Sequence, residues 1–140
     1  MSDTPFTHAE VGAVLPCTDF GRCVAFYRDT LGFRVEESTD MPGNATVFAG
    51  HGSTINLHEW PEPTRAEHTT AGFLVDDFDE AIRHLRSKGV KLEDIDQPGL
   101  RTEDGVATIG EFRGCWFKDS EGNILAVMPA AAMSRLRRAA

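Results

Sequence analysis

Gly12 to Phe20 can be laid on Thr70 to Phe78 without a gap, a shift of 58 positions that puts Asp19 on Asp77 and Phe20 on Phe78. In each copy a strand-like run ends at the aspartate, a segment of helical spacing follows, and a glycine, Gly32 or Gly89, closes it. Few folds are open to a chain built this way. A copy of about 60 residues buries too little surface to be stable alone, so the copies gain most by sharing an interface, within the chain or with a second molecule.

The first copy reads as strand, helix and three strands. Val11 to Pro16 is the first strand-like run, with Pro16 marking an edge position or the strand's end. Phe20, Cys23, Val24, Tyr27 and Leu31 recur at helix spacing from Asp19 to Leu31, with Asp19 or Thr18 as N-cap and Gly32 as the stop. Three strands are expected at Phe33 to Glu37, Thr46 to Ala49 and Thr54 to Glu59. The boundaries this implies are a unit over 11–60, a Pro-rich linker over 61–67, a second unit over 68–128 and a basic tail over 129–140, all in one domain.

In the second copy, His68 to Val75 begins the unit, and Phe78, Ala81, Ile82 and Leu85 mark its helix. Val90 to Ile95 is read as a strand and 106–112 as a weaker one. Cys115 to Phe117 and Ile124 to Met128 form a closing hairpin across the turn DSEGN, where Asp119 bonds its own backbone and Gly122 supplies a positive φ. Gln97 to Gly105, polar and rich in Gly and Pro, is expected to be a loop, one that shuts a cleft.

Charge narrows the partners. The chain carries 14 basic and 22 acidic residues, and Arg135, Arg137 and Arg138 crowd the last six positions, so the body before Pro129 is strongly negative. An acidic body lacks the basic face that a phosphate backbone needs, which excludes nucleic acid. Three cysteines, Cys17, Cys23 and Cys115, form no CxxC motif and no even framework, which fits a reducing compartment. The N-terminal MSDTPFTHAE lacks the basic and apolar regions of a signal peptide, and no run of 18 apolar residues occurs. The expectation is a cytoplasmic protein with no membrane partner.

Three strings, FYRDTLGF (26–33), GFLVDDFDEA (72–81) and WFKDSEGNIL (116–125), resemble the signature segments of the vicinal oxygen chelate superfamily. That superfamily holds glyoxalase I, extradiol dioxygenases, fosfomycin-resistance enzymes and bleomycin-binding proteins. The resemblance spans residues 11–128 and implies an α+β fold in which two βαβββ units curve their sheets round a shared cavity. It also implies a homodimer, since sheet edges and apolar faces are left for a second copy to cover. One scaffold hosts many chemistries, so the resemblance fixes no activity.

In metal-using members, His or Glu from the first and last strands of each unit hold a divalent ion. The matching positions are Gly12, Thr70, Asn56 and Ala126, which supply no ligand set of the usual kind. The expectation is therefore no metal and no cofactor. His58 and His68 lie two residues from Asn56 and Thr70, so strand alternation turns them to the same face, as pocket lining or as a displaced metal site with Glu10. Trp116 sits where the fosfomycin-type enzymes present an aromatic to the cavity, or else is a core tryptophan; Trp60 rims the same cavity or packs under the linker.

Asn56, Ile124 and Met128 share that parity, giving a wall that is mostly apolar and aromatic. Cys17 before a helix start is an activated thiol or an inert small residue. The carboxylates of Asp76, Asp77, Asp79 and Glu80 read as charges that offset a helix dipole. The function expected is metal-independent binding of a small hydrophobic molecule through Trp116, Trp60, Asn56, His58, His68, Ile124 and Met128. The alternative is an enzyme: a metal-dependent lyase or dioxygenase, or a metal-free isomerase or cyclase using His58 or His68. A protein-interaction module is a third class.

Overall fold

A computed structural model describes residues 2–131. The chain divides into two compact units, Met1–Pro63 and Thr64–Ala140, and each contains one sheet. The fold is α+β. Arg135, Arg137 and Arg138, the basic tail, lie outside the described residues.

In the first unit β1 (Ala13–Cys17), β2 (Arg34–Glu37), β3 (Asn44–Phe48) and β4 (Thr54–Glu59) lie in the order β1-β4-β3-β2. β1 and β4 are parallel and the other pairings antiparallel. Pro16, which has no N–H to give, is in the edge strand β1. α1 (Phe20–Ala25) lies against β4 and contributes the buried Cys23 and Val24. Alternation along the strands turns Leu15, Cys17, Ala45, Val47, Ile55 and Leu57 inward, all 5% exposed or less. Each Leu, Val or Ile among them contributes roughly 1.5–3 kcal/mol of burial, so this one face holds the unit together.

A single α-helix from Asp19 to Leu31 was the sequence expectation, and the structure corrects it. After Ala25 the helix widens into a π turn over Phe26–Thr30, in which the Leu31 amide donates to the Phe26 carbonyl at 3.0 Å. The extra residue re-phases the apolar stripe so that Tyr27 is fully buried. The Phe33 amide then closes on the Tyr27 carbonyl at 3.0 Å, ending the helix at Gly32.

The second unit repeats the plan and extends it. β5 (Thr69–Val75) is followed by α2 (Phe78–Ser87), which lies against β10 (Ile124–Pro129) as α1 lies against β4. β6 (Asp96–Gln97), β7 (Leu100–Glu103), β8 (Val106–Ile109) and β9 (Phe112–Lys118) complete a six-stranded sheet in the order β5-β10-β9-β8-β7-β6. The repeat is visible in the caps: Asp19 accepts from the Arg22 amide at 3.1 Å and Asp77 from the Glu80 amide at 3.0 Å. It is visible in register too. Val14 faces Asn56 across β1–β4, and Gly72, its counterpart at the 58-residue shift, faces Ala126 across β5–β10.

Two expectations fail between α2 and β9. Gln97 to Gly105 is not a loop but part of a hairpin meander. Gln97 pairs with Leu100 across Pro98-Gly99, where proline holds its own φ and Gly99 takes +80°. Glu103 pairs with Val106 across Asp104-Gly105, whose φ angles of +53° and +79° match the primed turn that suits a hairpin's twist. The Gly and Pro that looked like disorder are turn residues. Val90 to Ile95 forms no strand beyond a single bridge from Leu92 to Phe117.

The DSEGN turn between β9 and β10 is built on Asp119. One carboxylate oxygen accepts from the Glu121 and Asn123 amides at 2.8 and 3.0 Å, and the other accepts from the Asn123 side-chain amide at 2.9 Å. Asp119 and Asn123 are both buried, so these bonds satisfy groups that water cannot reach.

Candidate functional site

The side of the second sheet away from Leu125, Val127, Cys115 and Phe117 carries Ile124, Ala126, Met128 and Trp116, by the same alternation. Ala126 is the hinge of this arrangement, paired with Trp116 on β9 and with Gly72 on β5. The meander adds Ala107, opposite Gly114 on β8–β9, and brings up Leu100 and Ile95. Trp116, Ala107 and Ala126 form a buried cluster with Ile95, Leu100, Ile124 and Met128 packed round it.

Trp116 is 9% exposed, and its indole N–H donates to the Thr69 hydroxyl at 3.1 Å. That bond satisfies its one polar group and fixes the ring. A β-carbon on Gly114 would lie 3.4 Å from the ring's Cη2, and one on Gly72 would lie 3.2 Å from the Met128 methyl. Small residues let the large ones lie close over the sheet. Ile95, Leu100 and Ala107 were not anticipated from sequence: Leu100 lay in the segment read as a loop, and Ile95 and Ala107 lay in strand readings to which no face was assigned.

Thr69 reaches this face through an irregularity. β5 pairs Thr69 with Ile124 and Ala71 with Leu125, leaving Thr70 as the extra residue of a bulge. The alternation expected to turn His68 and Thr70 to one face is broken there. His68 lies before β5, exposed, with its Nδ1 3.0 Å from the Thr69 carbonyl oxygen.

The four positions to which the resemblance carries a metal site do not fit an ion here. Gly12 and Ala126 have no donor atom, and the Thr70 hydroxyl donates to the Ile124 carbonyl at 3.0 Å. Among the described residues no group of three or more His, Cys, Asp or Glu side chains converges. An amide such as Asn56 alone is a poor ligand.

The first unit holds the other anticipated residues. Asn56 and His58 alternate with the buried Ile55 and Leu57 on β4, so they occupy the face away from α1. His58 is flanked by Pro16 on β1 and Asn44 on β3. Its Nδ1 lies 2.9 Å from Asn44 Oδ1, and its ring centroid is 5.7 Å from that of Trp60, inclined at 39°. Trp60 is 53% exposed. Asn44 was not singled out in the sequence; its cross-strand position follows only from the register of β3 on β4.

An open cleft of about 260 Å³ lies between α2 and the β7–β8 hairpin, lined by Asp79, Arg83, Arg86, Asp104 and Arg113 among others. Apart from Glu103, its charges pair with one another or with neighbours. Arg113 reaches Asp79 at 3.0 Å and lies 4.7 Å over the Phe78 ring, while Arg86 donates to the Asp104 carbonyl at 2.7 Å. The hydrogen bond from Arg113, then its charge, holds the Asp79 carboxyl below the usual carboxylate range. These pairs tie the helix to the hairpin. As expected for Asp77 and Glu80, the helix-start acids cap and pair.

No cysteine is exposed. Cys17, Cys23 and Cys115 are buried and in no disulfide, and burial pushes the Cys115 thiol up to about 11, against a weaker pull from Arg86. A thiol so placed is a packing group.

Among solved structures, the chain resembles "Oxidase ChaP-H2" at 22% identity and a TM-score of 0.63, over 88% of this chain and 94% of that one. It resembles TnmS3, an antibiotic binding protein from Streptomyces sp. CB03234, at 21% identity and 0.62, over 88% and 97%. A glyoxalase/bleomycin resistance protein/dioxygenase superfamily member from Sphaerobacter thermophilus DSM 20745 matches at 22% and 0.66, over 86% and 97%. Likeness at these identities is likeness of fold. No curated protein sequence matches. The family model for the Glyoxalase/Bleomycin resistance protein/Dioxygenase superfamily matches residues 7–127, and the chain belongs to that superfamily.

Proposed function

We propose that the chain binds a small, hydrophobic organic molecule without a metal ion, on the face of the second sheet centred on Trp116 and Ala126. The observation that carries this reading is the identity and setting of Ala126. Where metal-using relatives hold an ion, this chain has a methyl group packed with an indole, ringed by Ile95, Leu100, Ile124 and Met128. A surface of that kind offers a ligand no charge and no open coordination position. Affinity then comes from burial, at about 25 cal/mol per Å² of apolar surface, with stacking on the indole adding roughly 0.5–1.5 kcal/mol.

TnmS3, an antibiotic binding protein, and "Oxidase ChaP-H2" both share the fold, so the fold allows a sequestering role and the setting of Ala126 is what favours it over a catalytic one. The reading extends to a cytoplasmic homodimer. Three cysteines in no disulfide fit a reducing compartment, and the exposed Val14 on the edge strand β1, with Val11 just before it, gives a second copy apolar surface to cover.

Native mass spectrometry of freshly purified protein, followed by calorimetric titration of planar hydrophobic compounds, tests the reading. Trp116→Phe is the control, because it keeps the fold and shrinks the stacking surface. A bound compound whose affinity falls several-fold in Trp116→Phe is the expected result. A compound bound with unchanged affinity in that variant, or turned over, contradicts it.

A further inference from the structure

We infer that His58 is a hydrogen-bond acceptor held in one tautomer, set to receive an aromatic or enolic hydroxyl from a ligand seated against Trp60. This goes beyond the proposed function, because every residue involved belongs to the first unit and the inference stands or falls without the Trp116 face.

The argument begins at Asn44. Its side-chain nitrogen lies 3.4 Å from each of two carbonyl oxygens, those of Met41 and Pro42. Carbonyls only accept, so the nitrogen must be on that side and Oδ1 on the other. Oδ1 in turn is 2.9 Å from His58 Nδ1, and an amide oxygen can only accept. Nδ1 therefore carries the hydrogen. In the neutral ring the second nitrogen, Nε2, is then left with its lone pair and no hydrogen.

His58 makes no other hydrogen bond among the described residues. Its Nε2 is thus an acceptor of fixed direction on a half-buried ring. An ordinary surface histidine samples both tautomers. Here the hydrogen-bonded pair spans β3 and β4 at a directly opposed position, so the sheet itself maintains it.

The surroundings select the donor. Pro16 flanks His58 on β1, and Trp60, half exposed, presents its ring 5.7 Å away. Apolar surface beside an acceptor suits a flat molecule carrying a hydroxyl. Trp60 supplies the stacking surface, and Nε2 rewards the hydroxyl that a methyl ether of the same ring would lack.

The test uses the full chain at mildly alkaline pH, with 2-naphthol and 2-methoxynaphthalene as the probes. Nitrogen-15 correlation spectra of the His58 ring read the tautomer directly, and the Trp60 indole N–H reports affinity at this site alone. The expected free protein shows hydrogen on Nδ1 and none on Nε2. 2-Naphthol shifts the Nε2 resonance; 2-methoxynaphthalene does not. In Asn44→Ala the tautomer preference is lost and 2-naphthol binds roughly fivefold more weakly, the size of one net hydrogen bond, with 2-methoxynaphthalene unchanged. Asn44→Asp, which still accepts from Nδ1, restores both. A free protein with hydrogen on Nε2, an Nε2 resonance unmoved by 2-naphthol, or an equal loss for the two probes overturns the inference.

Discussion

Gly105 approaches Leu92 so closely that a β-carbon at position 105 would lie 2.6 Å from the leucine's own Cβ. Leu92 is buried and bridges to Phe117 on β9, so the Asp104-Gly105 turn is pinned to the sheet's interior from outside the meander. Gly105 also holds a φ of +79°. Overpacking and a disfavoured φ therefore act together on any larger residue, and Gly105→Ala is expected to destabilise the protein by about 3 kcal/mol. Gly50, with nothing within 4 Å of its would-be β-carbon, is the control, and Gly50→Ala should shift stability by less than about 0.5 kcal/mol. Urea midpoints of the two variants check this; equal midpoints would refute it.

The Asp119 turn gives a second expectation. Its buried carboxylate accepts three hydrogen bonds within one five-residue turn, and Asp119→Ala leaves those donors without water or protein to receive them. The expected loss is about 3 kcal/mol, with Asp119→Asn losing less because it keeps one acceptor oxygen. Thermal unfolding of both variants measures the difference, and a silent Asp119→Ala would show that the turn does not hold the β9–β10 hairpin.

How far the sequence anticipated these features depends on what each residue was asked to reveal. The repeat was legible because N-cap aspartates, helix-stopping glycines and apolar runs are local signals, and Asp19 and Asp77 do cap as their matching positions required. The meander was legible only at β8, inside the weaker strand read over 106–112, although Asp104-Gly105 is a strong hairpin signal; the strands it joins are only four residues each and half polar, so alternation gave little contrast. The parity argument placed Trp116, Ile124 and Met128 together but failed at His68, because a bulge at Thr70 cannot be seen in a pattern of period two. Asn44 was invisible for a different reason. Its partnership with His58 depends on register between two strands, which no single strand's sequence records.

Burial of Cys115 has a consequence at alkaline pH. Its thiol is raised from an ordinary 9.0 to about 11, so the folded state holds the proton that the unfolded chain releases first. The stabilisation is complete below the ordinary value and fades as pH climbs from about 9 to about 11. Unfolding free energy measured across that range should fall less steeply in Cys115→Ala than in the parent, whatever the variant costs in packing. Equal slopes would mean the thiol ionises alike in both states.

The proposed homodimer is checked by sedimentation. Two copies covering the apolar surface at Val11 and Val14 should sediment as a dimer at tens of micromolar, about the range of ordinary stable pairs. Val14→Glu, which puts a charge on that surface, should shift the protein towards monomer; a parent that is already monomeric there contradicts the proposal.

Metal-free binding at Ala126 is tested most directly by titrating 1-aminoanthracene, a hydrophobic fluorescent probe, into the protein before and after exhaustive chelation. Ala126→Leu, which enlarges the side chain packed beside Trp116, is run alongside, with circular dichroism confirming its fold. The account predicts that chelation changes the affinity by less than about twofold, while Ala126→Leu weakens it by about tenfold, the equivalent of ~1.4 kcal/mol. Binding that vanishes on chelation, returns with one equivalent of a divalent ion per chain, and ignores Ala126→Leu would contradict it.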